Sequence, residues 1–329
     1  MNLFQKKWMT WVLFALLAMG AVAPLFSADT RLPGWIEVVL GGLMSGVLYS
    51  LVALGLVLIF KASGVFNFAQ GAMVLFAALS LVRLMEMMPF AVAFLATVAI
   101  MIALAWLIER LVLRPLVNQE GIVLFMATLG IAYFLDGLGQ TIWGSDVYTL
   151  DVGMPKEPKI ILESVFEGGI LVGMEDVIAA VLSAALVALL ALFFQKTGTG
   201  RALRAVADDH QAAQSIGIPL NRIWVIVWSV AGIVALVAGI IWGSKLGVQF
   251  SLQLVALKAL PVVILGGFTS IPGAIIGGLI IGLGEKLSEV YLGPYFGGGI
   301  ENWFAYVLAL VFLLFRPEGL FGERHIDRV

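Results

Sequence analysis

The segment "VVLGGLMSGVLYSLVALGLVLIF", residues 38–60, contains no charged side chain between Glu37 and Lys61. A helix needs about 20 mostly apolar residues to cross the hydrocarbon core of a bilayer. Over the full 329 residues, 61% are hydrophobic and 12% are charged, whereas soluble domains carry about 25% charged residues. The sequence therefore predicts an all-α protein, a polytopic transmembrane helical bundle that forms one membrane domain over residues 1–329.

Similar apolar runs recur along the chain and predict about ten spans. They cover residues 8–26, 35–60, 66–84, 89–108, 121–143, 176–194, 223–242, 252–267, 273–291 and 300–315. The run at 252–267 is short enough to be a broken or re-entrant helix. The first run, followed by "AVAPLFSAD", fits either a cleaved signal peptide or an uncleaved span, and we interpret it as the latter.

The distribution of basic residues predicts that both termini are cytoplasmic, since cytoplasmic loops are enriched in Lys and Arg. The predicted inner side carries Lys6, Lys7, Lys61, Arg110, Arg114, Lys196, Arg201, Arg204, Arg222, Arg316, Arg324 and Arg328. The outer side carries only Arg31, Arg83, Lys156 and Lys159. The loop at 144–175 then faces outward, where its excess of acidic residues could receive basic patches of a partner, together with the turn at 293–299.

Several functions are excluded or disfavoured by composition. A net charge of −2 gives no basic surface for nucleic acid, and the absence of Cys excludes disulfides and thiol catalysis. His210 and His325 lack the neighbouring ligands of a metal site. No catalytic triad or pair of carboxylates in a cleft is apparent. We therefore expect no metal, no cofactor and no enzymatic activity in this chain.

The polar stretch "GRALRAVADDHQAAQSIGIPLNR", residues 200–222, lies in the largest inner loop, residues 196–222. Thr197 or Thr199 can cap a helix, Gly217 can close one in the left-handed conformation, and Pro219 can stop it. Asn221 can then cap the next span. These signals predict one or two short helices on the inner membrane face. The alternative is a solvated connector without a partner.

Four blocks of sequence resemble permeases of the branched-chain amino acid ABC-transporter family, of the LivH type. They are "GLMSGVLYSLVALGLVLIFKASGVFNFAQGAMV" (42–74), the loop at 200–222, "ILGGFTSIPGAIIGG" (264–278) and "FRPEGLFG" (315–322). Within the loop, "QAAQSIG" has the spacing of the family's EAA-x-x-x-G motif, with Gln in place of Glu. Family resemblance implies a coupling helix over residues 208–217 that docks on an ATPase, with Asp208, Gln211, Ala212, Ala213 and Gly217 as coupling residues.

The resemblance also implies the partners and the setting. We expect two cytoplasmic ATP-binding subunits, a second permease subunit, identical or homologous, and a periplasmic substrate-binding protein, all assembled at a bacterial inner membrane. The cargo would be branched-chain amino acids, or urea, short amides or aromatic acids as in other members. An ion-coupled secondary transporter is the alternative from another class, and it would need paired ionisable residues at mid-membrane depth.

Four residues are predicted for the solute pathway: Asn67, Gln70, Gly42 and Gly46. Asn67 and Gln70 lie three residues apart, on one helix face, and buried amides require hydrogen-bond partners or water. Bridging between helices is the alternative role for them, and close helix packing is the alternative for the glycines. Four further charges lie at or near membrane depth and are either functional or structural; they are Asp136, Lys258, Glu285 and Lys286.

Overall fold

A computed structural model describes residue 15 and residues 17–26, 32–116, 119–208 and 210–322. In this part of the chain the fold is mostly helical. The helices are α1 (Leu32–Ser63), α2 (Gln70–Met85), α3 (Phe90–Ile108), α4 (Gly121–Trp143), α5 (Met174–Lys196), α6 (Gly198–Asp208), α7 (His210–Ser215), α8 (Leu220–Leu246), α9 (Val255–Lys258), α10 (Leu260–Gly266), α11 (Ile271–Tyr291), α12 (Gly293–Phe296) and α13 (Phe304–Phe315). A π-helical turn, Glu109–Leu113, prolongs α3, and short 3₁₀ turns occur at Ala23–Phe26, Phe250–Leu254 and Ile300–Asn302.

Six of these helices are long and apolar enough to cross a membrane. They are α1, α3 with its π-helical turn, α4, α5, α8 and α11, and the shorter apolar segments are α2, Phe250–Gly266 and α13. A multi-pass transmembrane architecture is thus confirmed. Residues 8–14 and 16 of the predicted first span, 8–26, lie outside the described residues, so the count of ten spans and the cytoplasmic termini stay predictions.

Two predicted spans differ in detail from the observed helices. We expected the third span to begin at residue 66, but α2 begins at Gln70. The Oδ1 atom of Asn67 accepts a hydrogen bond from the Ala69 N–H at 3.0 Å, which holds residues 67–69 in a turn before the helix. The break expected within 252–267 is confirmed: a 3₁₀ turn, α9 and α10 follow one another there, and α10 ends at Gly267 with φ of 105°.

The prediction of an all-α fold misses one β-hairpin in the outer loop. Strands β1 (Pro158–Ile161) and β2 (Ile170–Gly173) pair antiparallel, with Pro158 opposite Gly173 and Ile161 opposite Ile170. The Leu171 N–H donates to Glu37 Oε1 of α1 at 2.6 Å. The segment predicted only as an acidic loop is therefore partly ordered by backbone pairing.

The described chain divides into two compact units. The first contains residues up to Ser50, the range Met154–Ala184, and the residues from Lys258 onward. In it, α10 packs on α11 and α13. The residues after α13 return to α10, since the Leu320 N–H donates to the Leu265 carbonyl at 2.8 Å. The "FRPEGLFG" block therefore has a structural role, since it holds the chain after α13 against α10.

The second unit contains Leu51–Gly153 and Ala185–Leu257. Helix α2 packs on α4 and α8, and α3 packs on α8. The largest fully buried side chains of this unit include Trp228, Leu54, Met73 and Leu79. Trp224 of α8 is also buried and donates from Nε1 to the Ala62 carbonyl at 3.0 Å. The unit therefore has an apolar core tied by a few buried hydrogen bonds, and it carries both Asn67–Gln70 and the 196–222 loop.

Candidate functional site

The two predicted pathway amides lie at the start of α2 and are fully buried, at 0% exposure each. Asn67 Nδ2 donates to Gln70 Oε1 at 3.3 Å. Gln70 Nε2 donates to the Ala231 carbonyl of α8 at 3.2 Å. Asn67 precedes the helix instead of lying on its face, so the expected i, i+3 helical geometry is wrong, although the two side chains do meet. In this conformation the amides bridge α2 to α8.

Gly42 and Gly46 form a close helix contact with α11. A Cβ atom added at Gly46 would lie 2.6 Å from the Gly278 carbonyl oxygen, and one added at Gly42 would lie 2.8 Å from the Leu283 Cα. Ser50, one turn further along α1, donates to the Ile275 carbonyl at 3.1 Å. Small residues spaced four positions apart let two helix backbones touch, as in other membrane proteins. We call this contact the glycine seam.

The polar loop is folded into two helices of different character. The buried residues of the amphipathic helix α6 are Gly200, Leu203 and Val206, and the helix packs on α7 and α8. The short helix α7 ends in a left-handed residue, Gly217, with φ of 86°. The Ile218 N–H bonds to the Ala213 carbonyl and the Gly217 N–H to the Gln214 carbonyl, which is a Schellman cap. The expectation that Gly217 closes a helix is confirmed.

The residues predicted for coupling fall on different parts of this loop. Asp208 is the last residue of α6 and Gln211 lies in α7, so a single helix over 208–217 is not what the structure contains. Ala213 is 2% exposed, whereas Ala212 is exposed and Ile216 is 75% exposed. Ala212 in α7 and Ile216 in the turn that follows it are therefore exposed, whereas Ala213 is buried against its own protein. The exposure of Ile216 was not predicted, although an isoleucine in so polar a stretch is a visible signal.

The turn that leads into the loop depends on Gly200 and Arg204. A Cβ atom at Gly200 would collide with the Phe194 carbonyl oxygen. Arg204 donates from Nη1 to that same oxygen at 2.8 Å, which satisfies a carbonyl at the end of α5. Arg204 therefore caps the end of α5. The next span begins at Leu220 behind Pro219, and Asn221 does not cap it.

Three of the four charges at membrane depth belong to one polar cluster in the first unit. Lys258 Nζ lies 3.6 Å from Glu285 Oε1 and donates to the Glu301 carbonyl at 3.1 Å. Glu285 also accepts from Tyr49 at 2.8 Å. Lys286 Nζ lies 3.4 Å from Glu301 Oε2. The structural interpretation of these charges is supported, and the partners Tyr49 and Glu301 were not foreseen.

The fourth charge, Asp136 of α4, behaves differently. Its Oδ1 atom is buried and has no hydrogen-bond partner among the described residues. It lines a cavity of about 210 Å³ in the second unit, together with Phe68, Gly71 and Tyr133. This carboxylate is the strongest sign of an unassigned site in the molecule.

The β1–β2 hairpin exposes apolar side chains next to its acidic ones. Ile160 is 52% exposed, Val165 is 65% exposed, and Glu157 and Glu163 are exposed beside them. Tyr295 of α12 is 84% exposed. The sequence pattern predicted the acidic charge of this region but not its exposed apolar side chains. Mixed acidic and apolar surface is suited to a protein partner.

The apolar spanning helices, their small-residue packing and a folded loop between α5 and α8 define a multi-pass membrane protein with the architecture of a transport permease. The chain belongs to the family described as branched-chain amino acid transport system / permease component, whose profile matches residues 38–316.

Curated relatives extend over nearly the whole chain. The high-affinity branched-chain amino acid transport system permease protein LivH of Escherichia coli strain K12 is 29% identical over 90% of this chain and 98% of its own length. The corresponding protein BraD of Pseudomonas aeruginosa is 26% identical over 90% of this chain and 98% of its own length. A probable LivH of Methanocaldococcus jannaschii is 30% identical over 86% of this chain and 91% of its own length. These relatives are transport permeases and not enzymes.

Proposed function

We propose that this chain is the membrane permease subunit of an ATP-binding-cassette importer that carries branched-chain amino acids. The names of its relatives describe such systems. The observation that carries the proposal is the folded loop of α6 and α7, which presents an exposed helix between two spanning helices in a chain that matches the family over 38–316. A solvated connector would need neither the Schellman cap nor the buried face of α6.

The proposed assembly contains two cytoplasmic ATP-binding subunits, a second permease subunit, identical or homologous, and a periplasmic substrate-binding protein. Its setting is a bacterial inner membrane, with ten spans and cytoplasmic termini. The basic residues concentrated on one side of the predicted topology support this orientation. ATP binding and hydrolysis take place on the partner subunits, and this chain supplies the solute path.

The proposed ATPase contact is the exposed surface of α7 and of the turn that follows it, with Ala212 and Ile216 at its centre. Ile216 is a large apolar side chain held 75% exposed, and such anchors dominate the energetics of interfaces when a partner buries them. Gly217 fixes the direction in which the chain leaves α7. Asp208, Gln211 and Ala213 complete the coupling segment, with Ala213 as the residue that seats α7. Movement of α7 reaches the membrane through α6 and Arg204.

The proposed gate is the amide pair Asn67 and Gln70. Both are buried and bonded in this conformation, with Gln70 attached to Ala231 of α8. Opening of the solute path beside α2 requires this interhelical bond to break. Amides are suited to that role because the freed groups can bond water at modest cost. Gly42 and Gly46 contribute to the pathway through the close α1–α11 contact.

The proposed landing surface for the binding protein is the 144–175 loop with the turn at 293–299. Its exposed acids and its exposed Ile160 and Tyr295 support this assignment. Reversal of charge at Glu157 and Glu163 should slow cargo delivery and change its salt dependence, because steering between opposite charges is screened by salt. Lys156→Glu makes the same surface more acidic and should therefore speed delivery at low salt. Wild-type delivery and salt response in the reversed variant would place the docking surface elsewhere.

The test of the proposed function is reconstitution. The chain is purified with the ATPase, permease and binding-protein subunits encoded beside it and placed in proteoliposomes. ATP-dependent uptake of leucine, isoleucine and valine should exceed uptake of urea, acetamide and benzoate. Preference for one of the latter solutes would assign the second cargo class. Uptake driven by a proton or sodium gradient without ATP would instead identify an ion-coupled secondary transporter.

A further inference from the structure

One cavity of the second unit is not explained by packing. It has a volume of about 210 Å³, and α2, α4 and the broken segment surround it. Its lining is apolar except for Asp136, Gln253 and Tyr133; the other lining residues used below are Gly71, Ala132 and Leu257. Tyr133 is 75% exposed and Leu257 is 43% exposed, so the cavity opens to the surface of this unit.

Asp136 lies within the spanning helix α4, about 10 Å before its end at Trp143 at a rise of 1.5 Å per residue. Its Oδ1 atom is buried, and within the described part of the chain no group hydrogen-bonds to it. Among the described residues no basic side chain forms an ion pair with it. Ionisable groups inside membrane spans are rare and mark solute or ion paths when they are not paired within the protein. Two carboxylates that are more fully buried in spanning segments differ because they have basic partners: Lys258 and Tyr49 contact Glu285, and Arg114 pairs with Glu109.

The cavity lies directly beside the proposed gate. Its lining includes Phe68 and Gly71, which flank Gln70 in sequence. The backbone of Gly71 is pressed against Gln253, since a Cβ atom there would collide with the Gln253 carbonyl oxygen. Breaking the Gln70–Ala231 hydrogen bond would therefore allow Gly71, the next residue, to move, and Gly71 lines this cavity. The geometry connects a carboxylate site with the element proposed to open.

Its size fits one small amino acid. A cavity of about 150 Å³ in a protein core holds benzene, which has six heavy atoms. The cavity here, at about 210 Å³, exceeds that volume by about the ratio by which valine, with eight heavy atoms, or leucine, with nine, exceeds benzene. Apolar walls suit a branched side chain, and a carboxylate attracts a primary ammonium group. Gln253 is the lining residue with an amide donor for the cargo carboxylate.

We propose that this cavity is a transient cargo site within the permease, in which Asp136 receives the α-ammonium group of a branched-chain amino acid. The inference rests on the proposed function and adds the residue that recognises the cargo. It gives the permease its own selection for amines, separate from that of the binding protein. Deaminated analogues with the same side chain are then rejected at this site.

The test uses the absence of native Cys. In the intact complex in nanodiscs, Ala132→Cys is alkylated with N-ethylmaleimide while leucine, 3-methylbutylamine or 4-methylpentanoate is titrated. Leucine and the amine should slow alkylation, by roughly tenfold at ten times the dissociation constant from mass action. The acid should not. Tyr133→Cys, at an exposed lining position, repeats the measurement, and Leu189→Cys, exposed on α5, should be insensitive to all three solutes.

The second arm replaces the carboxylate. Asp136→Asn in the Ala132→Cys background should abolish protection by leucine and by the amine, whereas Asp146→Asn, beyond the end of α4, should leave it intact. Equal protection by the acid and the amine, no protection by leucine, or protection that survives Asp136→Asn would each overturn the inference. Leucine uptake is measured in parallel. Uptake without protection overturns only the cargo site, whereas the absence of any branched-chain amino acid uptake overturns the proposed function.

Discussion

At the scale of single residues, Gly46 shows which part of a helix contact the sequence predicts and which part only the structure identifies. Glycines four apart on a spanning segment predict a close helix contact but do not identify the partner helix. The structure identifies α11, whose Gly278 carbonyl would lie 2.6 Å from a Cβ atom at Gly46. Gly41 on the same helix has nothing within 4 Å of such an atom. The two positions are indistinguishable in a sequence pattern.

We expect Gly46→Ala to destabilise the protein by about 1–3 kcal/mol, since the added methyl group meets backbone that cannot rotate away. Gly41→Ala is the matched control and should be neutral or stabilising by about 0.5–1 kcal/mol, because alanine favours a helix over glycine. Thermal unfolding of the two variants in detergent measures the difference. Equal melting temperatures would mean that the glycine seam is not tight.

The buried amides give a second prediction at this scale. Gln70→Leu removes the donor to Ala231 and leaves the Asn67 amide without its acceptor, at a cost of about 1–3 kcal/mol for orphaned buried groups. Asn67→Leu should be similar. Both should abolish uptake even at temperatures where the complex remains assembled. Gln140→Leu, at an exposed position of α4, is the control. If uptake falls only in proportion to the loss of folded complex, the amides bridge helices and do not gate.

At the scale of elements, the sequence predicted that the 196–222 loop contains short helices, but it did not predict which of their residues are exposed. Capping residues and glycine predicted one or two short helices, and the structure has two, with Gly217 closing the second; the helix expected over 208–217 is absent from the described residues, which instead have Gly198–Asp208 and His210–Ser215. Which side of α7 faces outward depends on how α6 and α8 pack against it, and that information is not local. Ala213 and Ala212 are adjacent and chemically identical, yet the first is 2% exposed and the second is exposed.

This distinction makes a sharp prediction for coupling. Ile216→Asp should release the ATPase while the permease stays folded, because it places a charge in the proposed contact and in nothing else. Ala213→Asp should also release it, but with a loss of permease stability, since the charge is forced into the protein. Gly217→Val should act in the same way more weakly, because a β-branched residue resists a positive φ.

Co-purification of the ATPase and the melting temperature of the free permease separate these cases. Gln195→Asp, exposed in the last turn of α5 just before the loop, is the control and should retain the ATPase. Retention of the ATPase and of cargo-stimulated hydrolysis by Ile216→Asp would mean that the loop is a connector. The outcome for Ala213→Asp alone would be uninformative without the stability measurement.

At the scale of the whole molecule, composition and apolar runs predicted most of the spanning helices, because bilayer thickness imposes the same length on each. The hairpin was not predicted. Its strands are four residues each, and the loop had been considered only for its charge. The division into two compact units was also not foreseen, since it depends on contacts between distant segments of the chain.

The orientation of the molecule gives a prediction at this scale. Since the chain has no Cys, single replacements report the side of the membrane without background. Ile160→Cys in β1 should react with an impermeant maleimide in intact spheroplasts, and Ile216→Cys should react only after permeabilisation. Both side chains are more than half exposed, at 52% and 75%. The reverse pattern would invert the proposed topology and remove the coupling role of α7.

The glycine seam also determines which codon changes the gene can tolerate. Glycine is encoded by four codons that share their first two bases, so a change in those bases either adds a Cβ atom or, for GGA to UGA, ends translation, and only third-base changes are silent. At Gly46, Gly278 and Gly282 that atom would meet the backbone of the opposing helix. Gly41, Gly130 and Gly137 have open space instead. Under selection for transport, the first group should therefore accept synonymous changes alone while the second drifts, whichever cargo is supplied.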